Sequence, residues 1–167
     1  MKKVLITGGA GFIGYHLAKR LKKNYEIDIV DNFSRAVKDI HLRNLVNNRV
    51  NLINIDLTKD NFNKIKNKNY HYIYHLAAIV GVSHVINNPY NVLEKNFSLL
   101  KNIIDFSTSQ KHLKRFIFFS TSEVYASSLK HFGIKFPTKE STYLCADKLE
   151  DPRNSYALSK IYGEALC

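Results

Sequence analysis

Short aliphatic runs alternate along this chain with segments whose apolar residues recur every three or four positions. "KVLIT" (Lys3–Thr7) is apolar through its centre and rich in branched side chains, the pattern of a strand buried on both faces. "EIDIV" (Glu26–Val30), "VNLINID" (Val50–Asp56), "HYIYHLAA" (His71–Ala78) and "KRFIFFS" (Lys114–Ser120) predict four more strands. Between them, "FIGYHLAKRLKK" (Phe12–Lys23) places Ile13, Leu17 and Leu21 on one helical stripe. Its cations collect in the last turn, where the negative end of the helix dipole favours them.

The remaining segments follow the same rhythm. A polar stretch from Ala36 to Asn47 has helical tendency, and "TKDNFNKIKN" (Thr58–Asn67) predicts a short helix capped by Thr or Asp. From Asn88 to Gln110, opened by Pro89, residues Val92, Leu93, Phe97, Leu100, Ile103 and Ile104 recur with helical period. Ser127 to Arg153 is polar, carries Gly133, Pro137 and Pro152, and reads as loop. "RNSYALSKIYGEALC" (Arg153–Cys167) predicts a final helix. Strand–helix alternation with connections of this length specifies an α/β fold: a doubly wound parallel sheet of the Rossmann type. No repeat, low-complexity linker or domain boundary interrupts it, so residues 1–167 are read as one domain.

Gly8, Gly11 and Gly14 fall where the first strand hands over to the first helix. Gly8 would allow the tight turn, Gly11 would let a pyrophosphate approach the backbone, and Gly14 would let the helix lie close on the strand. The helix N-terminus adds free N–H groups and a positive dipole end. Asp31 closes the second strand about 20 residues further on, where an acid binds the adenosine ribose of a dinucleotide and repels a 2′-phosphate. NAD is therefore expected over NADP, although Arg35 is a counter-signal. Asp56 closes the third strand and has two readings: contact with the adenine amino group, or capping of the next helix.

Composition changes this picture little. With 167 residues, 45% hydrophobic and 23% charged, the chain can bury a sizeable core. No apolar run approaches the roughly 20 residues of a membrane span, and Lys2 and Lys3 precede too short an apolar run for a signal peptide. No membrane partner is expected, and a cytoplasmic location is. Cys145 and Cys167 suggest neither a disulfide nor a metal site, and the seven histidines have no metal-ligand spacing; His75 reads as a structural residue. The net charge of +11 is spread over scattered lysines without basic–aromatic interleaving. It reads as solvated faces with a modest preference for anionic ligands, not as a nucleic-acid-binding surface.

The chemistry lies in "FFSTSEVYA" (Phe118–Ala126) and "SYALSK" (Ser155–Lys160). Tyr156 and Lys160 stand four apart on a predicted helix, hence on one face. Ser120, Thr121 and Ser122 fall at the carboxyl end of the fifth strand, where open α/β sheets bind their ligands.

With "TGGAGFIG" (Thr7–Gly14), "DNFSR" (Asp31–Arg35), "DLT" (Asp56–Thr58), "YHLAA" (Tyr74–Ala78), Asn96, "STSEVY" (Ser120–Tyr125) and "YALSK" (Tyr156–Lys160) in order, the chain resembles the extended short-chain dehydrogenase/reductases. Within these it resembles the NAD-dependent epimerase/dehydratase family, which acts on nucleotide sugars. The resemblance implies a catalytic base at Tyr156, a nicotinamide-ribose ligand at Lys160 and a sugar-hydroxyl partner at Thr121, while Glu123 has two readings: a further catalytic carboxylate, or a loop carboxylate that orients its neighbours. It implies a cofactor site made of Gly8, Gly11, Phe12, Ile13, Gly14, Asp31, Asn32, Asp56, Leu57, Leu76, Ala77, Ala78 and Asn96, with Tyr156 and Lys160.

A phenol titrates near 10 in water, so a tyrosine base working near neutrality must fall by roughly 3 units, and Lys160 and the nicotinamide cation are expected to bring it down. The implied reaction passes through a transient 4-keto sugar, which can epimerise, dehydrate or decarboxylate. "STSEVY" resembles the matching stretch of UDP-glucuronate decarboxylases and of GDP-mannose dehydratases, and "PRNSY" (Pro152–Tyr156) resembles decarboxylases, but the Tyr125–Tyr156 loop is longer than theirs and Ala126 replaces the usual Gly. All three outcomes stay open, as does the choice among UDP-, GDP- and dTDP-sugars. Family members continue with further strands and a substrate domain, so the chain is read as the N-terminal part of a longer enzyme or a natural truncation, with a homodimer expected for the full-length form. The alternative reading is a catalytically silent NAD-binding or sensory module.

Overall fold

The computed structural model describes residues 1–59 and 62–167. They form two compact units: residues 1–78 with 98–119, and residues 79–97 with 120–167.

The first unit is built on a five-stranded, wholly parallel sheet. Its strands are β1 (Lys3–Thr7), β2 (Glu26–Asp31), β3 (Val50–Asn54), β4 (Tyr72–His75) and β5 (Arg115–Phe118), in the order β3-β2-β1-β4-β5. This is half of the doubly wound order, with the reversal between β1 and β4. Side chains alternate across the pleat. Val4, Ile6, Ile27 and Ile29 point to one face and pack with Ala18 of α1 (Phe12–Leu21) and with Leu42 and Leu45 of α2 (Ile40–Leu45). Leu5, Val30 and Ile73 point to the other and pack with Leu99, Leu100, Ile103 and Phe106 of α4 (Pro89–Thr108).

Helix α1 meets the sheet through Gly14 and Ala18, its two buried positions. Leu17 and Leu21 are only partly buried, and Ile13, predicted to head the buried stripe, is 57% exposed. Tyr15, Leu17 and Leu21 pack at the rim of this contact, and only Gly14 allows the closest approach, a Cβ there falling 2.4 Å from Gly9 Cα. The predicted Thr58–Asn67 helix does not form either. Asp60 and Asn61 lie outside the described residues, and residues 62–67 make consecutive turns closed by Ile65 N–H to Phe62 O and Lys68 N–H to Ile65 O. Phe62 and Ile65 are both buried there.

One buried polar cluster interrupts the apolar interior of this unit. Asp28 on β2 accepts hydrogen bonds from the Tyr70 hydroxyl at 2.6 Å, Lys68 Nζ at 2.9 Å and Asn51 Nδ2 at 2.8 Å. The carboxylate is thus satisfied by three donors from β3 and the turn before β4, as a buried charge must be. Burial and the Asp28 charge push the Tyr70 phenol far above its ordinary range. His75, read from sequence as structural, pairs its Nδ1 with Thr7 Oγ1 at 2.7 Å inside the sheet.

The second unit contains α3 (Val82–Asn87), the first half of α4, a 3-10 helix (Ser122–Tyr125), α5 (Ala126–Phe132) and α6 (Asn154–Leu166). Neither α3 nor α5 was foreseen; α5 lies inside the predicted loop. Its hold is polar: Ser128 Oγ donates to Tyr143 O at 2.7 Å, and Asp147 pairs with Lys130 and with His131 Nε2, the latter at 2.9 Å. Tyr143 and Asp147 are thereby tied to α5. Among the described residues no helix is long and apolar enough to cross a membrane.

Candidate active site

In the first unit, the glycine turn is shaped by steric exclusion. Gly8 sits at φ +65°, where other L-residues are strained, and a Cβ there would lie 2.6 Å from Ala77 N. Gly11 differs: a Cβ there would meet only Gly8 O, at 3.3 Å, so nothing in the protein fills the space beside it. Gly11 is also the N-cap of α1, and no side chain caps that terminus. An open glycine beside an uncapped, ten-residue helix start suits a pyrophosphate, which takes N–H donors and a positive dipole end. Phe12 and Ile13 lie exposed on the first turn.

Asp31 is tied into this turn. Its Oδ2 accepts from Ala10 N at 3.1 Å and its Oδ1 from Phe33 N at 2.9 Å. A carboxylate has roughly four acceptor sites, so both oxygens retain capacity for a ribose diol. Asn32 is exposed and bonds Ser34 N through Oδ1 at 3.0 Å. Leu76 and Ala77 run alongside Gly8, their amides bonded to Thr7 O at 3.1 Å and Thr7 Oγ1 at 3.4 Å, with Ala78 next in sequence. Asp56 caps no helix among the described residues; it closes a local turn, its Oδ1 accepting from Thr58 N at 3.0 Å and Thr58 Oγ1 at 2.7 Å. Leu57 is buried in the core beside it, its carbonyl accepting from Asn102.

In the second unit, Thr121, Glu123, Tyr156 and Lys160 come together. Thr121 caps the 3-10 helix, its Oγ1 accepting from Glu123 N at 3.3 Å, and its side chain stands near enough to the Tyr156 phenol to favour the ionised form. Tyr156 and Lys160 share one face of α6, with Lys160 Nζ 5.8 Å from the Tyr156 ring centroid. Lys160 is 5% exposed, and burial lowers its pKa from the ordinary 10.5 to about 8. Burial also acts on Tyr156, and in the opposite sense to the expectation from sequence. Desolvation raises the phenol above 10, the Thr121 hydroxyl pulls it down, and the Glu123 charge pushes it up again. The protein alone leaves the phenol protonated, and the Thr121 hydroxyl is the device that favours its ionised form.

Asn96 is buried in the same unit and spends its side chain on structure. Oδ1 accepts from Ile79 N at 2.7 Å; Nδ2 donates to Ile79 O at 3.1 Å and to Ser159 Oγ at 3.3 Å. Ser159 in turn donates to Tyr156 O at 2.7 Å. Ser159 was not foreseen as a site residue, and nothing in its neighbourhood marks it. Glu164 was also missed. It accepts a hydrogen bond from Ser120 Oγ, and its spacing of four from Lys160 and eight from Tyr156 could have flagged it. Among the described residues no cluster of His, Cys, Asp and Glu is placed to hold a metal.

Comparison with known proteins gives the same picture. The model of the NAD dependent epimerase/dehydratase family matches residues 4–167. The chain is 36% identical over 167 residues to the UDP-N-acetyl-alpha-D-glucosaminuronate decarboxylase of Bacillus cytotoxicus, covering 99% of this chain and 49% of that protein. Among solved structures it is similar to the UDP-Glc/GlcNAc 4-epimerase of Campylobacter jejuni, with a TM-score of 0.81 and 27% identity over 99% of this chain and 48% of that one. It is similar as well to the UDP-N-acetylglucosamine 4-epimerase of Methanobrevibacter ruminantium, with a TM-score of 0.79 and 28% identity over 99% and 49%. The chain spans about half the length of the curated relatives it matches.

Proposed function

Since the chain belongs to the NAD-dependent epimerase/dehydratase family, we propose that it supplies the cofactor cradle and the proton-transfer residues of an enzyme that modifies a nucleotide sugar. Residues 1–167 are, on this reading, that enzyme's NAD-binding part. Gly8, Gly11 and the α1 N-terminus hold the pyrophosphate of NAD, and Asp31 holds the adenosine ribose. When bound, NAD supplies a hydride acceptor and a cationic ring.

Tyr156, as phenolate, takes the proton from a sugar hydroxyl. The Thr121 hydroxyl beside it stabilises the charged form. Lys160, with its pKa near 8, keeps most of its charge at neutral pH and favours the phenolate further. Glu123 opposes ionisation of Tyr156, which suits a base that must also return its proton. The sugar oxidised at C4 becomes a 4-keto sugar, whose carbonyl acidifies the adjacent carbon and opens the way to epimerisation, dehydration or loss of CO2.

The observation that carries this reading is the Thr121–Tyr156–Lys160 set, since a silent dinucleotide-binding module needs no phenol flanked by a hydroxyl and a buried ammonium. The relative from Bacillus cytotoxicus decarboxylates a UDP-linked uronic acid by its name, so UDP-uronic acids are the first substrates to try. Incubation of the intact gene product with NAD and a panel of UDP-, GDP- and dTDP-sugars, with products resolved by mass spectrometry, tests the reading. Release of CO2, loss of water or an isobaric epimer identifies the outcome. Retention of every sugar unchanged, with NAD bound, favours the silent module. Exposed Tyr90, Leu93 and Phe97 on α4, with Tyr162 and Leu166 on α6, support a homodimer, and Phe97 and Tyr162 already pair with ring centroids 5.0 Å apart.

A further inference from the structure

Phe33 has a left-handed backbone, at φ +57°, and among the described residues it is the one non-glycine with a positive φ. Residues that carry a side chain are strained there. Phe33 stands just past the carboxyl end of β2, two residues beyond Asp31. The turn aims its N–H at Asp31 Oδ1, at 2.9 Å, while Ala10 N–H reaches Oδ2 from the glycine turn at 3.1 Å. The following amide, Ser34 N–H, bonds Asn32 Oδ1 at 3.0 Å. Each oxygen of the Asp31 carboxylate is therefore held from a different segment.

On backbone grounds phenylalanine is a poor choice for this position, since glycine takes it freely and asparagine more easily. The ring supplies the compensation. It packs against the apolar cluster that joins β1 and β2 to α1 and α2, and Lys38 Nζ stands 4.3 Å from its centroid, within cation–π range. We propose that Phe33 is a positioning residue for the adenosine end of the cofactor: its left-handed backbone turns the N–H that holds Asp31 Oδ1, and its packed ring offsets the strain of that conformation. The inference rests on the reading of Asp31 as the ribose ligand. Phe33 acts through that carboxylate. With Oδ1 released, Asp31 turns about its side-chain bonds, and both its hold on a ribose diol and its repulsion of a 2′-phosphate weaken. Strain kept at a binding loop and offset by packing is the form such a device takes.

The test compares two variants of the intact gene product that both delete the ring. Phe33→Val carries a β-branched side chain, for which a positive φ is a true outlier, whereas Phe33→Gly adopts it freely. Urea unfolding is expected to show both less stable than the parent, and calorimetry with NAD and NADP to separate them. Phe33→Val is expected to bind NAD about five- to tenfold more weakly, the size of a lost charge-assisted hydrogen bond, and to prefer NAD over NADP less strongly. Phe33→Gly is expected to stay within about twofold of the parent on both counts. In an Asp31→Ala background Phe33→Val is expected to cost no further affinity, as residues that act through one another require. Without cofactor, amide exchange at residue 33, followed by NMR, is expected to be slow in the parent and in Phe33→Gly and fast in Phe33→Val. Equal NAD affinity in the Val and Gly variants, or a Val effect undiminished in the Asp31→Ala background, overturns the proposal. Parental NAD affinity in Asp31→Ala, with amide exchange at residue 33 fast only in Phe33→Val, overturns the reading of Asp31 as the ribose ligand and leaves its positioning by Phe33 standing.

Discussion

A Cβ placed on Gly14 would lie 2.4 Å from the Cα of Gly9, nearer than any real contact allows. The first turn of α1 therefore rests directly on the glycine turn, backbone against backbone. Gly14→Ala must push the helix start away from β1 and cost about 2 kcal/mol or more, by the logic of overpacking a closed contact. Urea unfolding of the variant is expected to show that loss together with weakened NAD binding. Parental stability would show that the turn can yield.

Asp31→Ala removes the acceptor for both Ala10 N and Phe33 N as well as the expected ribose ligand. NAD affinity is expected to drop at least about tenfold, the size of a lost charge-assisted hydrogen bond. Calorimetry with NAD and NADP measures it, and the preference for NAD is expected to shrink in the variant.

Tyr156→Phe keeps the ring and deletes the hydroxyl whose ionised form Thr121 favours. Turnover by the intact gene product is expected to fall by roughly 10^2-fold or more, the range for loss of a general base, with NAD binding near parental. Parental turnover in this variant would remove Tyr156 from the chemistry.

Lys160 offers a pH signature. Its folded pKa is about 8 against an ordinary 10.5, so between these values the unfolded chain binds more protons than the folded one. This group's contribution to stability therefore rises as pH climbs from about 8 to 10.5 and is lost as pH falls through about 8. Lys160→Met is expected to be more stable than the parent near pH 7, by up to about 3 kcal/mol, and to lose that advantage by pH 10. Denaturant unfolding at pH 7 and pH 9.5 measures the difference, and an equal gain at both would show that burial does not govern this lysine.

The exposed apolar face of α4 and α6 predicts self-association. Leu93→Glu with Phe97→Glu places charge at its centre, and light scattering on the intact gene product is expected to report a monomer where the parent is a dimer. A monomeric parent would end this expectation.

The sheet was legible because its signal is local. Each strand is an aliphatic run, and β1 was read to its last residue. The glycine turn was legible for the same reason: Gly8, Gly11 and Asp31 are demanded by backbone approach and by a ligand's charge. The second unit resisted. Its buried residues include Asn96, Ser128, Asn154, Ser155, Ser159 and Lys160 beside Val85, Val92 and Val124, so outside α4 much of its interior is held by hydrogen bonds from polar side chains to backbone carbonyls, which leave no apolar period to read. Helix α5 was taken for loop because Ser128, its buried position, looks like a loop residue. Ile13 misled in the other direction: it completes a stripe by spacing but lies exposed, while Leu17 and Leu21 of that stripe pack beside the buried Gly14 and Ala18. The phenol of Tyr156 was expected to be lowered, since spacing reveals its neighbours but not the desolvation that outweighs them.

Asp31 is clamped by its two amide partners before any dinucleotide arrives. Its carboxylate therefore surrenders almost no rotamer freedom on binding, a cost of about 0.5–1.5 kcal/mol for a side chain that must be immobilised in the encounter. The adenosine end of the cradle is a rigid template, and recognition there proceeds as docking into a finished mould.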